Sequence, residues 1–141
     1  MNISKFTQKS VQAVQDLEKV AYEYGNQEVE QEHLLYALLT QEDSLILKLI
    51  EKMDINKEYF INVVKKALDA KVKVSGGDLR FGQYLNKSLV NAENEAKAMG
   101  DEYVSVEHLF LSLLTQPSPS MKKIFNEFGI TRERFLQALS T

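Results

Sequence analysis

The chain repeats itself, and no other feature restricts its fold as much. Displaced by 75 residues, positions 6–66 fall on 81–141 without a gap and agree at 17 of 61 places, against about three or four expected by chance. Phe6 meets Phe81, Gln8 meets Gln83, Ala21 meets Ala96 and Gly25 meets Gly100. The densest agreement sets Val29, Glu32-His33-Leu34 and Leu38-Leu39-Thr40-Gln41 on Val104, Glu107-His108-Leu109 and Leu113-Leu114-Thr115-Gln116. Ile55, Glu58 and Phe60 then meet Ile130, Glu133 and Phe135. The chain reads as a tandem duplication: repeat one over 1–70, a joint over 71–79 and repeat two over 80–141, together one domain.

Each repeat reads as four helices. Val11, Val14, Leu17, Ala21 and Tyr24 recur at steps of three or four, the spacing of one helix face. Thr7 stands where an N-cap belongs, and Gly25 where a left-handed residue ends a helix. A second helix over about 31–40 is apolar on most sides and belongs in the middle of a bundle. Ser44 and Asn56 are placed to cap a third and a fourth. The second repeat follows the same plan, with Gly100 ending its first helix, Ser105 capping its second and Thr131 its last. Pro117 and Pro119 break the chain before a short helix around 121–128. No stretch alternates strictly between apolar and polar, so the class expected is all-α: eight helices in two pseudo-twofold-related, four-helix repeats.

Composition narrows the function classes. At 44% hydrophobic the chain has enough apolar residues for a core and too many for disorder. No run approaches the roughly 20 apolar residues of a membrane span, and residues 1–6 lack a secretory leader. With no cysteine there is no disulfide and no thiolate site. A net charge of −3 leaves no strongly basic surface, so neither nucleic acid nor membrane is expected as a partner, and the expected setting is cytoplasmic.

Covalent chemistry finds no foothold. The stretch 76–82 is Gly-rich but lacks the Gly-Lys-Ser/Thr of a phosphate loop, and reads as a joint. His33 and His108 lie on separate helices rather than one turn apart on one face, so each is expected to hydrogen-bond locally and not to ligate a metal. No Gly-x-Ser-x-Gly elbow occurs. Glu93 and Glu95 point to different faces of their helix and read as solvated surface. Lys65, Lys66, Lys71 and Lys73 read as a solvated helix end, where cations suit the dipole. No catalytic residue, metal or cofactor is assigned to this chain.

Several segments nevertheless resemble a known family, the amino-terminal Clp repeat domain. They are Phe-Thr-Gln-Lys-Ser at 6–10, Tyr-Gly-Asn-Gln at 24–27, Glu-x-Glu-His-Leu-Leu-Tyr-Ala-Leu-Leu at 30–39, Val-Ser-Gly-Gly-Asp at 74–78 and Ala-Met-Gly-Asp-Glu-Tyr-Val-Ser-Val-Glu-His-Leu at 98–109. The resemblance covers residues 3–141, and it is nearer to the ClpB, disaggregase, type than to the ClpA or ClpC partners of proteases. It implies a domain hinged on a hexameric AAA+ ATPase, capturing unfolded or aggregated polypeptide for the central pore. The chain carries no Walker motif, so ATP would be used in modules outside it, and it reads as an excised domain, monomeric by itself. The linker departs from the family in having Lys71-Val72-Lys73 where a proline is common.

The resemblance further implies that Thr7, Asp101 and Glu107 surround a substrate-contacting surface. Two repeats joined about a pseudo-twofold leave a groove at their junction. Phe6, Phe81 and Tyr84, near the starts of equivalent helices, with Val11 and Leu85 about one turn on, are the apolar residues expected to line it. A second reading is an adaptor-docking domain of the ClpC or ClpA type, whose partner is a folded adaptor or co-chaperone. ClpC-like relatives also recognise phosphoarginine, for which Glu32 and Glu107 would supply the acidic half.

Overall fold

The computed structural model describes residues 3–141. Met1 and Asn2, which open repeat one and the stretch read as free of a leader, lie outside them. Among the described residues the order is α1 (Gln8–Glu23), β1 (Glu28–Val29), α2 (Gln31–Leu39), α3 (Leu45–Lys52), α4 (Lys57–Asp69), β2 (Arg80–Phe81), α5 (Gln83–Ala98), α6 (Val106–Thr115), α7 (Pro119–Phe128) and α8 (Arg132–Ser140). The eight expected helices are present, in two matched sets of four.

Local chemistry sets most of the boundaries. Oxygen atoms of Thr7, Ser44, Asn56, Ser118 and Thr131 accept from backbone N–H groups of the first turns of α1, α3, α4, α7 and α8, satisfying donors that have no partner inside the helix. Gly25 and Gly100, at φ 71° and 73°, take the left-handed turn that ends α1 and α5. One boundary differs from expectation: α7 begins at Pro119, two residues before the expected start. Proline at the first helical position loses no intrahelical bond and has φ already set, and Ser118 supplies the cap. Pro119 therefore opens that helix, and the break falls at Pro117.

α2 and α6 form the centre. Every residue of α2 except Tyr36 is buried, and so are Val106 and His108–Leu113 of α6. α1 packs on α2, and α5 on α6. Phe110 stacks on Phe135 with ring centroids 4.5 Å apart, and Phe60 meets Phe128 edge-on at 4.9 Å. No helix among the described residues is long and apolar enough to cross a membrane.

The repeats are joined by exchange. β1 and β2 run parallel, pairing Glu28 with Arg80 and Val29 with Phe81. At the other end Phe6 pairs in parallel with Val104. These contacts are images of each other under the 75-residue shift, which turns Phe6 into Phe81 and Val29 into Val104. Each repeat thus lends its leading segment to the turn before the second helix of the other. The amide of Thr7 donates to Val104 O at 3.0 Å, and the matched amide of Gly82 donates to Val29 O at 2.8 Å. Gln31 adds a buried polar tie: its amide nitrogen donates to Ser88 Oγ (2.8 Å) and Gln116 O (2.9 Å), and its oxygen accepts from Ser118 N (2.8 Å).

Two surface expectations are overturned. Glu95 is 5% exposed. Arg132 grips it through both guanidinium Nη atoms, at 2.8 and 3.1 Å, and Thr115 donates to it at 2.5 Å. Burial alone would raise the Glu95 pKa, but these donors and the positive charge hold it below the usual carboxylate range. The basic run departs from its expectation only at Lys71: Lys65 and Lys66 are exposed at the end of α4 and Lys73 is exposed, but Lys71 is not a solvated helix end. Lys71 Nζ contacts Glu30 at 2.8 Å and Glu32 at 3.3 Å, and Lys73 Nζ donates to Tyr24 O at 2.8 Å. The segment leaving α4 is strapped back across the α1–α2 turn.

Candidate functional site

The two junctions made by the exchange hold the residues expected to contact a ligand, but they divide them. At the first, the extended run Lys5-Phe6-Thr7 lies against Val104: Val104 N donates to Lys5 O (2.8 Å), Thr7 N to Val104 O (3.0 Å) and Ser10 Oγ to the same carbonyl (2.8 Å). Val104 stands between Asp101 and Glu107 in the chain, so Thr7 and the 101–107 segment meet here. At the second, pseudo-equivalent junction are Phe81 and Tyr84, beside Val29. The eight residues expected to share a single groove are therefore divided between two strand pairings, Phe6 with Val104 and Phe81 with Val29.

Their exposure differs as well. Tyr84 is 44% exposed and Phe81 half-buried, so both present ring surface at the second junction. Val11 is half-buried and packs on the core. Leu85 has no exposed surface and Phe6 only 9%; both are core residues. Both sit in the hydrophobic core shared by the two repeats. The exposed apolar residues at the first junction are ones the sequence did not point out: Tyr103 at 55% and Ile3 at 47%. Tyr103 flanks Val104, and Ile3 O accepts from Phe6 N at 3.0 Å. Their signal was the pairing of Phe6 with Val104, which only the fold reveals.

Two of the three polar residues, Thr7 and Asp101, already have structural work. Thr7 accepts from Ser10 N at 3.2 Å and donates to Ser10 Oγ at 3.1 Å. Asp101 Oδ2 lies 2.8 Å from His108 Nε2. His108 Nδ1 accepts from Ser105 N at 2.8 Å, so that nitrogen carries no proton and Nε2–H donates to the carboxylate. Glu107, in the first turn of α6, is half-buried, and no cation pairs with it among the described residues.

The matched site in repeat one is built on the same plan with different residues. His33 Nδ1 accepts from Glu30 N at 2.8 Å, and its Nε2–H donates to Asn26 Oδ1 at 2.9 Å. Burial, with the Lys71 ammonium nearby, pushes His33 down to about 4. Both histidines thus tie the start of a central helix to the preceding turn, the local role expected of them. Glu32 is buried against Lys71 and accepts from the Ser120 hydroxyl. It is closed to an outside guanidinium, so the acidic pair suggested for phosphoarginine has only Glu107 accessible.

A family model described as the Clp repeat (R) N-terminal domain matches residues 5–140. A chaperone protein ClpB of Nitratidesulfovibrio vulgaris is 39% identical over 99% of this chain, which spans 17% of that protein's length. Among solved structures, the Hsp104 N-terminal domain from Candida albicans superposes with a TM-score of 0.82 at 21% identity, over 96% of this chain and 89% of that one. The ClpV N-domain in a complex with a VipB peptide gives a TM-score of 0.72 at 22% identity, over 98% and 89%.

Proposed function

Because the chain belongs to the Clp repeat (R) N-terminal domain family, we propose that it is the non-catalytic polypeptide-binding domain of an ATP-dependent, ClpB-type disaggregase. In this reading it captures unfolded or aggregated protein and hands it to the pore of an AAA+ hexamer in the same cytoplasmic protein, where ATP is consumed.

The observation that carries the reading is the first junction. One strand pairing brings the helix cap Thr7, the Asp101–Glu107 segment and the exposed Tyr103 and Ile3 to one place. An acidic rim beside exposed aromatic and aliphatic surface suits a chain that offers side chains without a fixed shape. Contacts of that kind are weak, about 10–100 μM or roughly −5 to −7 kcal/mol. The ClpB relative and the peptide carried by the ClpV N-domain support the same reading.

The test is an NMR titration of the 15N-labelled chain with a permanently unfolded protein, and in parallel with its native form. Shifts at Thr7, Asp101, Tyr103 and Glu107 are expected with the unfolded partner alone. Glu107→Gln should weaken binding about three- to tenfold while leaving the thermal midpoint within about 2 °C, since Glu107 pairs with no cation. Silence with both partners would turn the assignment to docking of a folded adaptor. Unchanged capture by the Glu107→Gln chain would remove Glu107 from the site.

A further inference from the structure

Glu32 and Glu107 occupy matched first-turn positions of α2 and α6, yet their surroundings differ. The side chain of Glu32 is 2% exposed and lies 3.3 Å from Lys71 Nζ. Its other oxygen accepts from Ser120 at the head of α7. Glu30, the residue before α2, binds the same ammonium at 2.8 Å. The hydroxyl is not repeated at Glu107, since the residue matched to Ser120 is Leu45, 37% exposed, and among the described residues no lysine or arginine pairs with Glu107.

Lys71 does not come from a helix. It is delivered by the segment that follows α4, and that segment is fastened at three further points. Asn26 donates its side-chain amide to Val72 O (3.1 Å), Val74 N donates to Gly25 O (2.8 Å), and Lys73 Nζ donates to Tyr24 O (2.8 Å) while lying 5.7 Å from the Tyr24 ring centre. The ammonium, 13% exposed along its side chain, is held between two carboxylates as a bound basic residue would be. Buried Glu32 is screened little by water and would otherwise attract an outside cation strongly, with the more exposed Glu30 adding to the pull.

We propose that Lys71 acts as an internal ligand: it occupies the repeat-one counterpart of the Glu107 site and keeps it closed to basic side chains of other polypeptides. The closure stands on the repeat-one contacts alone. Its consequence, that among the described residues this chemistry is open at the Glu107 junction and closed at the Glu32 junction, rests on the reading of Glu107 given above.

Lys71→Ala should lower the thermal midpoint by about 5 °C or more, because it leaves a buried carboxylate without its cation. n-Butylammonium, which is the lysine side chain without its backbone, should then restore part of the loss. It should also shift the amides of Glu30, Glu32 and His33 beyond what equal sodium chloride does. The parent chain should show neither response. Equal responses in parent and variant, or a variant as stable as the parent, would overturn the proposal. Where Lys71→Ala folds too poorly to study, Lys71→Met with Glu32→Gln removes both charges. That pair should regain the parent fold and ignore the amine, and a pair no more stable than Lys71→Met alone would sink the assignment. These readouts lie in repeat one, so they fail or succeed separately from capture at Glu107.

Discussion

His33 shows how much one side chain can be made to do. Its ring bonds the amide that opens α2 and the turn that closes α1, and burial keeps it neutral with its pKa lowered to about 4. An unfolded chain takes up that proton near pH 6.5, so between about 6.5 and 4 the unfolded state binds more protons than the folded one. The stabilisation is complete above about 6.5 and is lost as pH falls toward 4, roughly 3 kcal/mol in all. Urea unfolding at a series of pH values should show that slope, and His33→Gln should flatten most of it. At Gly100 the backbone is left-handed, and an added Cβ would meet nothing within 4 Å. Gly100→Ala should therefore cost about 1 kcal/mol through the backbone alone, read from the same unfolding curves. Caps such as Thr7 and Ser44 were legible in the sequence because their partners lie three residues away. The partners of Glu95 lie 20 and 37 residues away and those of Lys71 up to 41, and no local pattern records such distances.

Among the elements, the helices were legible and the strands were not. A strand of two residues is too short to show alternation, so β1, β2 and the Phe6–Val104 bridge left no trace in the pattern. Yet those short pairings decide where the candidate site lies, since they bury Phe6 and expose Tyr103. This is why the sequence pattern set Thr7, Asp101, Phe81 and Tyr84 in one groove, whereas the pairings put Thr7 beside Val104 and Phe81 beside Val29. α5, α6 and α8 are held together by the Glu95–Arg132–Thr115 cluster. Arg132→Met would leave Glu95 buried without its cation, and a loss of about 2–3 kcal/mol is expected by chemical denaturation, since Arg132 is itself partly exposed. Adding Glu95→Gln to that variant should recover part of the loss, a coupling that two independent surface residues would not show.

The whole molecule depends on both halves being present. Residues 1–79 alone keep α1–α4 but lose the partner strand of Val29, the Val104 carbonyl that receives Thr7, and the Ser88, Gln116 and Ser118 atoms that satisfy buried Gln31. That fragment should show little cooperative unfolding by circular dichroism. Mixed with residues 80–141, it should regain helix content and sediment as a one-to-one complex. The reciprocal lending of leading segments explains why. A lone unit of this kind could complete itself only against a second copy of itself, through an isologous contact in which both ends must carry identical residues. Writing both units into one chain keeps the contact and releases that constraint, so the two ends can come to differ, as the end that holds Lys71 against Glu32 already does.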